Sequence, residues 1–213
     1  LLGHFSTHAL TYFRLMHPIT DSIKQTAENT LLPALRTAVD QTQRARLIKT
    51  FITEQDSRIR EIHDLGAGGL EVAGARSVMV DNVIRAAFLT SQKRLSAEAP
   101  IQVAVTSVGG YGRGILNPGS DIDLLFLLPV NSTKIPAITK GLVEEILYLL
   151  WDTGFKVGHS SRSINECIDE AKSEQQSKTA LMDTRLIAGD SALVEEFIRR
   201  YQRDCIQKNP DAF

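Results

Sequence analysis

Cysteine is scarce in this 213-residue chain: only Cys167 and Cys205 occur, far apart and outside any CxxC or CxxH spacing. That excludes a disulfide framework and argues against a structural zinc site, leaving two helix-packing thiols as the expectation. No apolar run approaches the roughly 18 residues a membrane span needs. The opening LLGHFSTHALTYF lacks the charged-then-apolar order of a secretory signal. A cytoplasmic protein without a membrane partner is expected. Net charge is also missing. At −1, the chain has no overall basic field to hold a polyanion, so nucleic acid is not expected as a partner. The lysine-bearing P-loop pattern GxxxxGK[ST] is absent, and GYGRG does not meet the dinucleotide-binding GxGxxG. The chain starts at Leu1 and not at methionine, and QKNPDAF supplies no closing element. It therefore reads as an excised piece of a longer protein.

What is present is enough apolar material, 43% of residues, for a real core in a chain of this length. The first hundred or so residues read as helices. HPITDSIKQTAENTLLPAL starts near a cap at Asp21, is interrupted by Pro33, and continues in a helix-favouring run to about Leu65. GAGG at 66–69 reads as a loop. Beyond it, Val80, Val83, Ile84 and Ala87 recur at i, i+3, i+4 and i+7 with Asp81, Asn82 and Arg85 between them, the pattern of an amphipathic helix.

From Ile101 the texture changes. IQVAVTSVGG is β-branched and glycine-terminated, as a strand entering a turn should be, and DIDLLFLL is apolar on both faces beyond its first three residues, as a central strand should be. A helix is expected from about Pro136 to Thr153, with Ile138, Leu142, Ile146 and Leu149 on one face, and FKVGHSS reads as a third, half-buried strand. Ser163 and Glu166 form a capping-box pair opening another helix. Gly189 and Asp190 separate two more helices, the last of them amphipathic through Leu193, Val194, Phe197, Ile198 and Tyr201. The expected architecture is α+β: a small mixed sheet flanked by helices. It divides into a helical N-terminal region (1–98), a core (99–165) and C-terminal helices packing on that core (166–213).

The chemistry concentrates in SVGGYGRGILNPGSDIDLLFLLP, residues 107–129. Side chains alternate along a strand, so Asp121 and Asp123 share one face about 7 Å apart while Ile122 faces away. Two carboxylates on one face repel unless a cation lies between them. Magnesium suits the pair, because it binds oxygen ligands, keeps waters and completes its shell with substrate phosphates. Asp121 and Asp123 are therefore the candidate Mg²⁺ ligands, and the substrate should carry phosphates.

Gly109 and Gly110 end the preceding strand where a side chain would block close approach, and their N–H groups can cradle phosphate oxygens, particularly if a short helix begins at Tyr111. Ser120 can donate its hydroxyl to the same phosphates. Arg113 supplies positive charge, either to the phosphates or in a salt bridge to one of the two aspartates. A glycine pair can be a plain turn and a DxD a surface feature. The restrictive element is the order: strand, GG, about ten residues, S-D-x-D, apolar strand.

This stretch resembles the signature of the nucleotidyltransferase superfamily typified by DNA polymerase beta, in the version carried by the PII-protein uridylyltransferases. The similarity continues through LLWDTGFKVGHSSRSINECIDEA and LMDTRLIAGD, covering roughly residues 100–195. The resemblance implies Mg²⁺-dependent transfer of a nucleotide from a nucleoside triphosphate with pyrophosphate as leaving group. It places Gly109, Gly110 and Ser120 on the triphosphate and Asp121 and Asp123 on the metals. It further implies UTP as donor and a tyrosine hydroxyl of a PII-type signalling protein as acceptor, hence a role in nitrogen regulation.

Many members of that superfamily carry a third carboxylate on a later strand, whereas here the strand reads FKVGHSSR, without an acid. The base role then falls to Asp183 in MDTRL, or the metal alone deprotonates the hydroxyl. Asp183 can instead be a partner of Arg185, and His159 is a further candidate or a structural residue. Two alternatives to a uridylyltransferase follow: an adenylyltransferase of the same fold, and a nucleotide-binding regulatory module without turnover, motivated by the missing acid.

Overall fold

A computed structural model describes residues 17–96 and 100–207. The opening residues read above as lacking a secretory signal, and the last six, lie outside the described residues. Helix α1 spans His17–Thr26, so the expected cap at Asp21 is displaced. Pro18, with its fixed φ, suits a first turn, and Asp21 lies inside the helix, paired with Lys24. A π-type turn over Ala27–Leu31 leads into α2, Leu32–Thr37, with Pro33 in its first turn, where a missing N–H is tolerated. The true break comes at Ala38, and Asp40 caps α3, Gln41–Asp64, accepting from the Gln43 N–H at 2.7 Å.

Helix α4, Gly69–Leu95, takes the last glycine of GAGG as its first residue. Val80, Val83, Ile84 and Ala87 are fully buried as the period demands, but Asp81 and Asn82 are buried as well. Of the three polar residues only Arg85 is exposed. The helix runs between the sheet and the N-terminal helices.

Four strands form the sheet: β1 Ala104–Ser107, β2 Ile122–Leu128, β3 Val157–Ser163 and β4 Arg185–Gly189. Their order is β3-β2-β1-β4, with β1 antiparallel to both neighbours and β2 parallel to β3. A four-residue turn of helix, α5 (Gly109–Gly112), follows β1. The β2–β3 crossover is α6, Ala137–Asp152, as parallel neighbours require. Leu142, Ile146 and Leu149 of α6 are buried as expected, but Ile138 is exposed one turn before the helix reaches the core.

Ile122, Leu124, Phe126 and Leu128 pack toward α4 and α6, while Leu125 and Leu127 pack against Cys167, Ile168 and Phe197 on the other face. Strand β2 is thus buried on both sides. Helix α7, Ile164–Ser173, opens with the expected Ser163–Glu166 capping box. Burial works against the Glu166 charge, but hydrogen bonds from Ser132 and Ser163 win and hold its carboxyl down at about 2.

Helix α8, Gln175–Met182, is followed by β4 and not by another helix, which corrects the expectation for this segment. Five residues are too short a run for periodicity to separate strand from helix, and pairing with β1 decides it. Helix α9, Ser191–Tyr201, closes the second layer through Val194, Phe197 and Tyr201. Cys167 and Cys205 are both buried free thiols. No described helix is long and apolar enough to cross a membrane.

Candidate active site

Strand β1 delivers the chain to Val108, which is extended, and Gly109 then takes φ +58°. This is the left-handed region that favours glycine. The reversal lets α5 start at Gly109, two residues before the expected Tyr111, and the turn closes through Gly112 N–H to Val108 O at 3.0 Å. The loop returns through Asn117-Pro118-Gly119-Ser120, closed by Ser120 N–H to Asn117 O at 3.1 Å with Gly119 at φ +81°. Proline second and a positive-φ glycine third are the signature of a type II turn. That turn sets Ser120 and Asp121 at the head of β2. The Val108 N–H donates to Asp123 O at 3.2 Å, locking the glycine loop to the aspartate strand.

Asp121 precedes β2 and Asp123 is its second residue, both exposed, with Ile122 buried between them. Although Asp123 is exposed as a residue, its carboxyl is partly desolvated by its surroundings, which raises it above its ordinary range, and the charge on Asp121 pushes it the same way. Both causes disfavour the ionised carboxylate, desolvation more than the neighbouring charge. Arg113 does not bridge to either aspartate: its Nη1 donates to Asp183 Oδ2 at 2.5 Å. Asp183 caps the end of α8 and pairs with Arg113; the alternative pairing with Arg185 does not form, because Arg185 is held by Asp81.

Two clefts meet at Asp123. One, of about 290 Å³, is lined by Gly110, Arg113, Ser120, Asp121 and Asp123 among others. The second, of about 430 Å³, is lined by Gly109, Asp123, His159, Arg162, Gln176 and Ser177 among others. The geometry therefore assembles six of the seven expected site residues around two adjoining spaces. Asp183 lines neither and reaches the first only through Arg113. His159 is exposed on the edge strand with its ring 5.8 Å from that of Trp151.

Strand β3 supplies no acid beside Asp123. Its residue in register there is Gly158, where a Cβ would lie 2.6 Å from Asp123 Oδ1. The Asp123 carboxylate thus occupies space that a side chain on β3 would fill. Glu174, also on the second cleft, is engaged as the cap of α8 by the N–H groups of Gln176 and Ser177. Among the described residues no group of three or more metal-ligating side chains gathers. Two hard carboxylate donors beside an open cleft fit Mg²⁺, which draws its remaining ligands from water and phosphate.

Behind the glycine loop lies a polar cluster that the sequence did not disclose. Tyr111, 2% exposed, donates its hydroxyl to Asp81 Oδ1 at 2.7 Å. Arg185, first residue of β4, donates to both oxygens of the same carboxylate, at 2.7 and 3.0 Å. Gly112 is crowded from the same side: a Cβ there would lie 2.0 Å from Asp183 O.

Comparison with known proteins places the chain among nucleotidyltransferases. Residues 91–187 match the family described as Nucleotidyltransferase domain. The chain is similar to proteins named bifunctional uridylyltransferase/uridylyl-removing enzyme. It is 36% identical over 178 residues to that of Rhodopseudomonas palustris, covering 82% of this chain and 18% of the relative. It is 36% identical over 185 residues to that of Bradyrhizobium diazoefficiens, covering 84% and 19%. For Phenylobacterium zucineum the identity is 39% over 146 residues, covering 67% and 15%. The chain thus spans less than a fifth of the length of these relatives.

Proposed function

Since the chain belongs to the nucleotidyltransferase domain family, we propose that it transfers UMP from UTP to a tyrosine hydroxyl of a PII-type signalling protein, with Mg²⁺ held by Asp121 and Asp123. One observation carries the reading: both aspartates, Ser120, Arg113 and Gly110 line a single cleft. The choice of UTP and of a PII-type acceptor rests on similarity to proteins named for uridylyl transfer.

The acceptor oxygen bonds to the α-phosphorus as the bond to pyrophosphate breaks, and the hydroxyl proton passes to solvent at the mouth of the open cleft. The residues of this chain act by placement. Ser120 and Arg113 hold phosphate oxygens, Arg113 exchanging its Asp183 partner for the triphosphate or sharing its fork between them. Gly110 leaves the backbone open to the phosphates. Asp123, which lines both clefts, stands where an acceptor entering the second cleft meets a nucleotide in the first. Bound Mg²⁺ would polarise the phosphoryl oxygens and offset the charge of the leaving pyrophosphate. Asp183, capping α8 and paired with Arg113, keeps that arginine aimed and does not take the proton.

A second reading, a nucleotide-binding regulatory module without turnover, draws on the absence of an acid on β3. Mass analysis of a PII-type protein incubated with the chain, Mg²⁺ and each nucleoside triphosphate in turn separates the two. A uridylyl adduct with UTP is the expected result. Saturable UTP binding without any adduct would select the regulatory module, and absence of nucleotide binding would overturn both.

A further inference from the structure

We propose that Asp81, Tyr111 and Arg185 form a positioning network that sets the shape of the glycine loop, making helix α4 a determinant of triphosphate affinity. The inference rests on the reading of that loop as the phosphate holder. Asp81 sits in the middle of α4, in the N-terminal helical region, and lines neither cleft. Its carboxylate nevertheless accepts three hydrogen bonds, from Tyr111 and twice from Arg185 in a bidentate fork.

Arg185 has donors left over and spends them on the loop backbone. Its Nε donates to Gly112 O at 3.2 Å and its Nη2 to Tyr111 O at 3.4 Å, and its guanidinium lies 5.5 Å from the centre of the Tyr111 ring. One arginine therefore fixes the main-chain carbonyls of two of the four residues of α5, and one aspartate fixes both that arginine and the loop's buried side chain. Tyr111 O also accepts from the Gly114 N–H at 3.0 Å, so the arginine reinforces that bond, whereas the Gly112 carbonyl, at the end of the helical turn where intrahelical partners run out, is oriented by Arg185 Nε. The residues flanking the anchored pair, Gly110 and Arg113, line the cleft with the two aspartates.

A partly buried polar cluster can serve stability alone. What sets this one apart is its targets. Two of its bonds end on carbonyls of the loop itself, and the adjoining contact between Gly112 and Asp183 leaves the turn no room to relax on that side. Residues that orient a ligand-holding group in this way characteristically change ligand affinity 10- to 100-fold when removed, the scale known for groups supporting metal ligands.

The test uses Tyr111→Phe, which deletes one donor and keeps the ring, together with Asp81→Asn and Arg185→Lys, the last keeping charge but losing the planar fork. Two readouts are taken well below each variant's melting temperature. Amide hydrogen exchange over residues 109–114 of the nucleotide-free chain reports the loop, with the amides of α6 as an internal reference. Inhibition constants for inorganic tripolyphosphate, with Mg²⁺ present, report the phosphate cradle without the base. The expected outcome for Tyr111→Phe is about 10-fold faster exchange in the loop with α6 unchanged, and tripolyphosphate binding weakened by about the same factor. Loop exchange equal to wild type in every folded variant overturns the inference, whatever happens to melting temperature. Wild-type protein that binds neither UTP nor tripolyphosphate sinks the phosphate-holder reading itself, an outcome visible before any variant is made.

Discussion

Arg113 donates to Asp183 at 2.5 Å, joining the residue that follows the glycine loop to the cap of α8 across seventy positions of sequence. The pair is half exposed, 56% and 27% for the two side chains, so by itself it contributes little to stability. Its place beside the aspartate pair gives it meaning: the arginine belongs to the cleft and the aspartate does not.

This relationship gives the first prediction. If Asp183 aims Arg113, Asp183→Ala should raise KM for UTP several-fold and leave kcat within about ten-fold. A general base would instead cost about 100-fold or more in kcat with binding intact. Stability should fall by under about 1 kcal/mol, as for other exposed pairs. Steady-state kinetics with both substrates varied decides between these outcomes.

The two loop glycines should behave differently. Gly109 sits at φ +58°, so Gly109→Val forces a β-branched residue into the left-handed region and should lower stability by about 1–3 kcal/mol. Gly110 has no such constraint, and the nearest neighbour to a Cβ there is Arg113 Nη2 at 3.7 Å. Gly110→Val should melt near wild type yet bind UTP more weakly, because its methyls intrude on the arginine and the phosphate approach. Paired melting and nucleotide-binding curves check both.

The grouping of the candidate site residues was readable from sequence where they are close along the chain. The strand, glycine pair, turn and aspartates fall within residues 107–129, and alternation along one strand placed Asp121 and Asp123 together. What sequence could not show are contacts between distant segments. Asp81 meets Arg185 across 104 positions, and nothing in VMVDNVIRAA marks one aspartate as buried. Asp81 and Asn82 read as solvated along with Arg85, which is exposed, because periodicity records one buried face, whereas α4 packs both on the sheet and on other helices. Strand β4 was lost for a related reason: five residues between turn signals fix neither period, and only pairing with β1 makes RLIAG a strand.

The aspartate pair carries a metal-dependent prediction. Burial and the neighbouring Asp121 charge both disfavour ionised Asp123 in the metal-free protein, so Asp121→Asn relieves repulsion. Its melting temperature without Mg²⁺ should equal or exceed that of wild type, while UMP transfer is lost and added Mg²⁺ with UTP no longer shifts the melt. Calorimetry with and without Mg²⁺ and UTP measures this directly. Wild-type turnover by Asp121→Asn would remove the aspartate from the metal site.

Gly158 lies on the strand that carries no acid. Parallel pairing puts Gly158 beside Asp123, and a Cβ there would stand 2.6 Å from the carboxylate oxygen. Real Cβ atoms do not approach an oxygen so closely, so Gly158→Ala must rotate or displace the Asp123 side chain. The backbone need not move, because the obstructed group is a side chain beside an open cleft. Folding should therefore survive, with a melting temperature close to wild type, while Mg²⁺-dependent transfer falls by about 100-fold. That is the scale expected when a misplacement of about 1 Å disturbs a reacting geometry. A crystal structure of the variant should show Asp123 turned away from Asp121. Full activity in a folded Gly158→Ala protein would mean that Asp123 can satisfy its role from a second rotamer, and that β3 does not define the position of the carboxylate.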